Sequence, residues 1–219
     1  MEREKKEIEI RLGSIQDGKF VSGVSEKFFE ITIQRFQNFS PGWLLADKQW
    51  RESIDTFFLC DGDIIRQTAV TNIDTCEIEL ENIKKINKIH ETYHLVQNAD
   101  TVINPFLDTA ALRFSTCGEL HIPTKTLQIY VEPKHVRIKH RRIFIKEKRE
   151  SGGFFAYHFT KVFSGKNHTD ADKCLKINKA VYEIEIEFEG KDEPLDEIKA
   201  ELIRKMEYLS DTARGALVE

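Results

Sequence analysis

Tyr182-Glu183-Ile184-Glu185-Ile186-Glu187-Phe188-Glu189 alternates acidic and apolar side chains without a break. A period of two is that of a β-strand, so Glu183, Glu185, Glu187 and Glu189 share one face and Ile184, Ile186 and Phe188 the other. Like charges at this spacing, ~7 Å, repel weakly in water but by several kcal/mol at low effective dielectric. Such a strand is therefore either washed by solvent or neutralised by cations. Near the other end of the chain, Glu7, Glu9 and Arg11 alternate with Ile8, Ile10 and Leu12 up to Gly13. Residues 137–141 carry the complement, with Arg137, Lys139 and Arg141 on one face and Val136 and Ile138 on the other side of the same strand. Acidic and basic faces of one period suggest a shared polar lumen, where carboxylates take a hard divalent cation and Arg and Lys hold phosphates. Alternating Glu and Ile also describes an ordinary half-exposed strand. Glu77-Ile78-Glu79-Leu80-Glu81 reads as a structural strand of that kind.

Working outward, residues 52–60 and 63–71 flank Asp61-Gly62, a hairpin turn signal. Residues 75–96, 107–122, 126–132, 135–149, 154–164 and 177–189 read as further strands. Asn104-Pro105, Pro123, Pro133, Ser151-Gly152-Gly153 and the polar stretch 164–173 separate them. Helical spacing appears in two places. Phe28, Phe29, Ile33 and Phe36 follow a Ser25 cap, stop before Pro41-Gly42, and are expected to pack under the floor of a barrel. Ile198, Leu202 and Leu209 make one stripe after Pro194. Many strands joined by short turns favour a sandwich or a closed barrel over a doubly wound α/β fold.

Length and composition bound the function. At 219 residues with 40% hydrophobic residues and 15 Phe, the chain is expected to form a single domain over residues 1–219, and disorder is excluded as its main state. Lys+Arg 33 against Asp+Glu 37 gives a net charge of −4, so any polyanion site must be local rather than a bulk positive field. Cys60, Cys76, Cys117 and Cys174 fall in no zinc spacing, and none of the 7 His sits in a ligand motif. Neither a signal peptide nor a transmembrane segment is expected, so a reducing compartment and no membrane partner follow. The basic run Lys134 to Arg149 admits an RNA-contacting patch, though a solvated hairpin tip accounts for Lys146, Lys148 and Arg149.

Glu7-Ile8-Glu9-Ile10-Arg11-Leu12-Gly13 and Tyr182-Glu183-Ile184-Glu185-Ile186-Glu187 together resemble the paired glutamate motifs of tunnel-type, metal-dependent RNA 5′-triphosphatases of mRNA capping, within the triphosphate tunnel metalloenzymes. The order of intervening segments is similar too: Arg66, then Lys84 and Lys85, then Leu112-Arg113-Phe114-Ser115 through Glu119-Leu120-His121-Ile122-Pro123, then Arg137-Ile138-Lys139-His140-Arg141. The resemblance implies a mainly β (α+β) fold, an eight-stranded antiparallel β-barrel tunnel with a few flanking helices. It implies that Glu7, Glu9 and Glu187 hold Mg²⁺ or Mn²⁺, that Glu185 orients or deprotonates water, and that Glu183 supports a lysine or a second water. Arg66, Arg137, Lys139 and Arg141 would bind the triphosphate. Lys84 or Lys85 would stabilise charge on the transferred group, with Lys84 preferred. The implied partners are a 5′-triphosphate RNA end and an RNA guanylyltransferase, in the nucleus, or in the cytoplasm for a viral chain; monomer and homodimer stay open. One departure stands out. Where such proteins carry Arg before Asp-Leu-Thr, Phe155-Ala156-Tyr157-His158-Phe159-Thr160-Lys161 has Ala156 at the Arg position and His158 at the Asp position, leaving His158 or Lys161 as a substitute donor.

Two rival functions share these residues. One is a tunnel phosphohydrolase acting on inorganic triphosphate, thiamine triphosphate or free nucleoside triphosphates. The other is a non-catalytic barrel that binds polyanions.

Overall fold

The structure, a computed structural model, describes residues 4–39, 43–45, 50–71, 77–94, 110–123, 132–146, 153–190 and 193–218. In chain order the elements are β1 (Glu4–Gln16), β2 (Lys19–Ser22), α1 (Glu26–Phe39), β3 (Trp43–Leu45), β4 (Arg51–Cys60), β5 (Asp63–Thr71), β6 (Ile78–His94), β7 (Ala110–His121), β8 (His135–Lys146), β9 (Phe154–Gly165), α2 (His168–Lys176), β10 (Val181–Glu189) and α3 (Leu195–Val218). The expected strand 126–132 falls almost wholly outside the described residues, as do Cys76, the Asn104-Pro105 and Pro41-Gly42 breaks, Ser151-Gly152, Lys148 and Arg149.

Eight strands close on themselves in the order β1, β10, β9, β8, β4, β5, β6, β7 and back to β1, every pair antiparallel. The expected eight-stranded antiparallel barrel with flanking helices is what the chain forms. Closure leaves none of the eight as an edge. Asp61 (φ 50°) and Gly62 (φ 86°) make the expected β4–β5 hairpin turn. Ser25 caps α1, its Oγ accepting from Phe28 N at 3.2 Å.

Three short elements escaped the sequence reading. β2 and β3 are brief additions that pair with β1 and β8. The stretch 164–173, expected as a simple break, opens α2, and β10 begins at Val181 rather than at residue 177. The signal for α2 was its cap: the Asn167 side chain accepts from Asp170 N at 3.0 Å, while Ala171 alone is buried along the helix.

The inverted polarity of the barrel follows from its alternation. Ile184, Ile186 and Phe188 point outward, as do Ile8, Ile10 and Leu12, and the main core lies between this wall and two helices. α1 contributes Phe28, Phe29 and Ile33; α3 contributes Ile198, Leu202, Met206 and Leu209. Phe29 meets Phe159 and Tyr182 at ring-centroid distances of 5.9 and 5.2 Å. The α1 stripe thus packs against the side of the barrel, not under a floor. A smaller cluster, Val136, Ile138 and Phe163, is covered by Ala171 of α2. Residues 77–81 are exposed on both faces, so Ile78 and Leu80 lack the buried side that the half-exposed reading expects, and Glu81 reaches the rim of the lumen.

Inside the barrel charged side chains meet, among a few apolar ones such as Ile83. Asp55 on β4 and Lys139 on β8 form a buried ion pair, and Thr68 Oγ1 donates to Asp55 at 2.9 Å. Burial alone pushes the Asp55 carboxyl up, but Lys139 and Arg66 outweigh it and hold it down to about 2. A depressed acid stabilises the fold above its unfolded pKa and loses that contribution as pH falls through its folded pKa. Asp55 should therefore contribute about 2 kcal/mol at neutral pH, lost between pH ~4 and ~2. Urea unfolding checks this: Asp55→Asn should cost at least about that amount at pH 7, and the gap to wild type should narrow below pH ~4. On the outer face, Ile186→Ala should cost ~2–5 kcal/mol in the same assay, since Ile186 is fully buried between wall and helices.

Candidate active site

Strand register decides which side chains meet. β1 and β10 pair Glu9 with Glu187 and Arg11 with Glu185. β9 sets Ala156 opposite Glu187 and His158 opposite Glu185, and β8 sets Lys139 opposite Val162 and Arg141 opposite Thr160. Because paired residues share a face, one lumen receives Glu7, Glu9 and Arg11 from β1, Glu183, Glu185 and Glu187 from β10, His158 from β9, and Lys139 and Arg141 from β8. The middle of the lumen is a cavity of about 190 Å³ lined by Glu7, Glu185, Glu187, Arg66, Lys139 and Arg141, with Lys5, Arg11, Glu81 and Glu119 among its other walls.

The acids are unequal. Glu7 accepts from Lys85 Nζ and, at 3.0 Å, from Cys117 Sγ; burial raises its carboxyl, but these partners leave it below the usual range. Glu9 is pushed up by burial and by Glu185 and Glu7, against Arg11, whose guanidinium donates to it at 2.8 Å. Glu185 lies 3.1 Å from the Nε of Arg11; burial again opposes ionisation, yet Arg11, His158 and Arg141 hold the carboxyl well below the ordinary range. Glu187, like Glu9, is raised. Burial, then Glu185 and Glu7, push it up to about 8, and its nearest ammonium, Lys5, is 4.0 Å away and half-exposed. A cation placed beside Glu187 would favour its ionised form.

His158 faces the same spot. It is 5% exposed, and its Nδ1 lies 3.3 Å from Glu185 Oε1 and 3.9 Å from Glu187 Oε2, in neither case with hydrogen-bond geometry. Burial lowers its pKa, with Glu185 opposing and Arg141 assisting. Donor atoms of His158, Glu185 and Glu187 all fall within 4.8 Å of one another.

Among the cations, Arg66 lies 3.2 Å from Glu119, and Arg141 Nε donates to Thr160 at 3.2 Å. Burial first, then Arg141 and Arg137, bring the Lys139 ammonium down to about 8 despite Asp55. Arg137 stands apart from the central cavity. It holds Glu183 at 2.7 Å across the mouth of the barrel, beside a cavity of about 490 Å³ walled by Phe57, Ile64, Val162 and Val181. The lysine expectation needs correction: Lys84 leaves the lumen and pairs with Asp63 at 2.6 Å, whereas Lys85, facing the other way, reaches Glu7 and stands 3.7 Å from Glu119. Lys161 is also outside, 2.9 Å from Glu30 and over the rings of Trp50 and Tyr182.

Sequence reasoning assigned no role to Arg11, Asp55, Glu119 or Cys117. Arg11 was findable, since it shares the face of Glu7 and Glu9; Asp55 and Cys117 stand singly in their strands and become visible only through cross-strand register.

No family model matches the chain, and a search of curated proteins finds no match. Solved structures do resemble it. The S. pombe Pct1 RNA triphosphatase superposes with a TM-score of 0.54 at 14% identity, over 96% of this chain and 79% of that one. The same protein in complex with the Spt5 CTD gives 0.55 at 15%, over 95% and 83%. The RNA triphosphatase domain of a trifunctional mimivirus mRNA capping enzyme gives 0.54 at 11%, over 93% and 88%. The chain thus has the tunnel fold of these RNA triphosphatases, as its paired glutamate motifs led one to expect.

Proposed function

We propose that the chain is a metal-dependent phosphohydrolase that removes the γ-phosphate of triphosphate-ended RNA, the first step of cap formation. One observation carries this reading: carboxylates that suit a divalent cation and cations that suit phosphate line the same cavity in the lumen. The tunnel fold it shares with RNA triphosphatases supports it.

The donor set fits Mg²⁺ or Mn²⁺. A buried carboxyl raised to about 8 by anionic neighbours, and a buried imidazole nitrogen without a hydrogen bond, mark a place that one cation would complete. Glu187, with Glu185 and Glu7, would hold the ion; Glu9 would reach it by exchanging its Arg11 partner. Bound there, such an ion supplies charge to the γ-phosphoryl oxygens. Arg66, Lys139 and Arg141 would grip the phosphates from the β5–β4–β8 side, and Lys85 would add a charge beside Glu7. A carboxyl held as low as Glu185 is a weak base, so its part is to ligate and orient rather than to take a proton. That suffices for in-line attack by water, where little base assistance is needed and positioning with charge neutralisation does most of the work.

The mouth of the barrel supports a nucleotide-bearing substrate over bare tripolyphosphate. Arg137 precedes Lys139 along the lumenal face of β8, and beyond it Phe57, Ile64 and Val181 offer apolar surface to a nucleoside as the phosphates enter. The diphosphate end left behind would pass to a guanylyltransferase, in the nucleus on this reading.

Phosphate release from γ-labelled triphosphate RNA, ATP and tripolyphosphate, each with Mg²⁺, Mn²⁺ or EDTA, tests the assignment. Release should require metal, favour RNA, and fall ~100-fold or more in Glu187→Ala and Arg141→Ala proteins that remain folded. Equal release in a folded Glu187→Ala protein would sink it. Preference for tripolyphosphate would transfer it to the small-substrate branch, and salt-sensitive RNA binding without release would leave a polyanion-binding barrel.

A further inference from the structure

We propose that His158 is a nitrogen ligand to the ion in the lumen, making with Glu185 and Glu187 a mixed nitrogen–oxygen seat that favours Mn²⁺-like ions over Mg²⁺. The proposal rests on the metal-dependent reading above and departs from the all-carboxylate set of Glu7, Glu9 and Glu187 that the sequence resemblance implies.

Three observations carry it. His158 is 95% buried, and its Nδ1, which makes no hydrogen bond, is aimed at two carboxylates. A buried polar atom left in this state costs free energy unless something binds it. Next, the geometry admits one ion between the donors. Two donors each ~2.2 Å from an ion stand ~3.1 Å apart at right angles and ~4.4 Å apart across it. Separations of 3.3 and 3.9 Å from Nδ1 to Glu185 and Glu187 fall inside that range. Finally, register fixes the trio: His158 and Glu185 are cross-strand partners, Glu187 is the next lumenal residue on β10, and its partner on β9 is Ala156, which brings no competing polar group.

Imidazole suits Zn²⁺, Fe²⁺ and Ni²⁺ best; Mn²⁺, though mostly met by oxygen donors, is a transition metal that accepts a nitrogen, whereas Mg²⁺ holds to oxygen donors and keeps its waters. An Asp at this position would offer oxygen instead. The exchange of acid for imidazole therefore changes which ion the lumen prefers without altering the barrel around it.

Electron spin echo spectroscopy of the Mn²⁺-loaded full chain reads the nitrogen directly, independent of turnover and of whether any variant folds. Wild type should show ¹⁴N modulation that disappears in His158→Gln, with the Mn²⁺ Kd rising about tenfold or more and Mg²⁺ affinity changing little. His158→Asp should restore binding without ¹⁴N modulation and shift the Mn²⁺/Mg²⁺ preference toward Mg²⁺. Mn²⁺ bound to wild type without ¹⁴N modulation, or modulation and affinity retained in His158→Gln, would overturn the role of His158 while leaving a metal-dependent hydrolase in place. No Mn²⁺ bound to wild type at all would overturn both.

Discussion

Everything in this molecule depends on how the glutamates of β10 are compensated. Glu183, Glu185 and Glu187 follow one another along one face of a single strand, largely out of water. Crowded anions of this kind are tolerable only when cations are brought to them. Barrel closure does that. It presses Arg11 against Glu185, carries Arg137 across β9 to Glu183, and sets Lys85 on Glu7. Compensation is deliberately local rather than uniform, and it runs short at Glu187. Buried carboxylates converge there with the Nδ1 of His158, which makes no hydrogen bond.

The same alternation explains why the core sits outside. With one face of each wall strand given to charge, the other must be buried elsewhere, and α1 and α3 cover it with Phe28, Phe29, Ile33, Ile198, Leu202 and Met206. Helix and lumen are therefore two consequences of one periodicity. Ile186 and Glu187 are adjacent in sequence and serve opposite sides of a wall one strand thick. Such a scaffold is suited to chemistry that consists of positioning, because side chains projecting from a closed barrel lose little precision to backbone motion.

Much of this was legible in the sequence. The period-two runs at 7–12, 136–141 and 182–189 announced strands with one charged face, and the Asp61-Gly62 turn and Ser25 cap were read from local chemistry that the structure repeats. What escaped reading did so for reasons of geometry. Lys84 and Lys85 are neighbours, so one residue of register decides which enters the lumen, and no local feature fixes that register. Asp55 and Cys117 lack a periodic companion of their own type, and only strand pairing brings them to Lys139 and Glu7. α2 is short and weakly apolar, so its helical period was drowned by polar residues. His158 was noticed as a departure from an expected Asp, but its consequence needed the positions of Glu185 and Glu187.

Diffraction from crystals grown with Mn²⁺ and a non-hydrolysable triphosphate, recorded at the manganese absorption edge, addresses the central claim that one lumen takes metal and triphosphate together. The account predicts an anomalous peak inside the barrel against Glu187, with phosphate oxygens on Arg66, Lys139 and Arg141. A lumen holding neither, with manganese and phosphates confined to the outer surface, would contradict it.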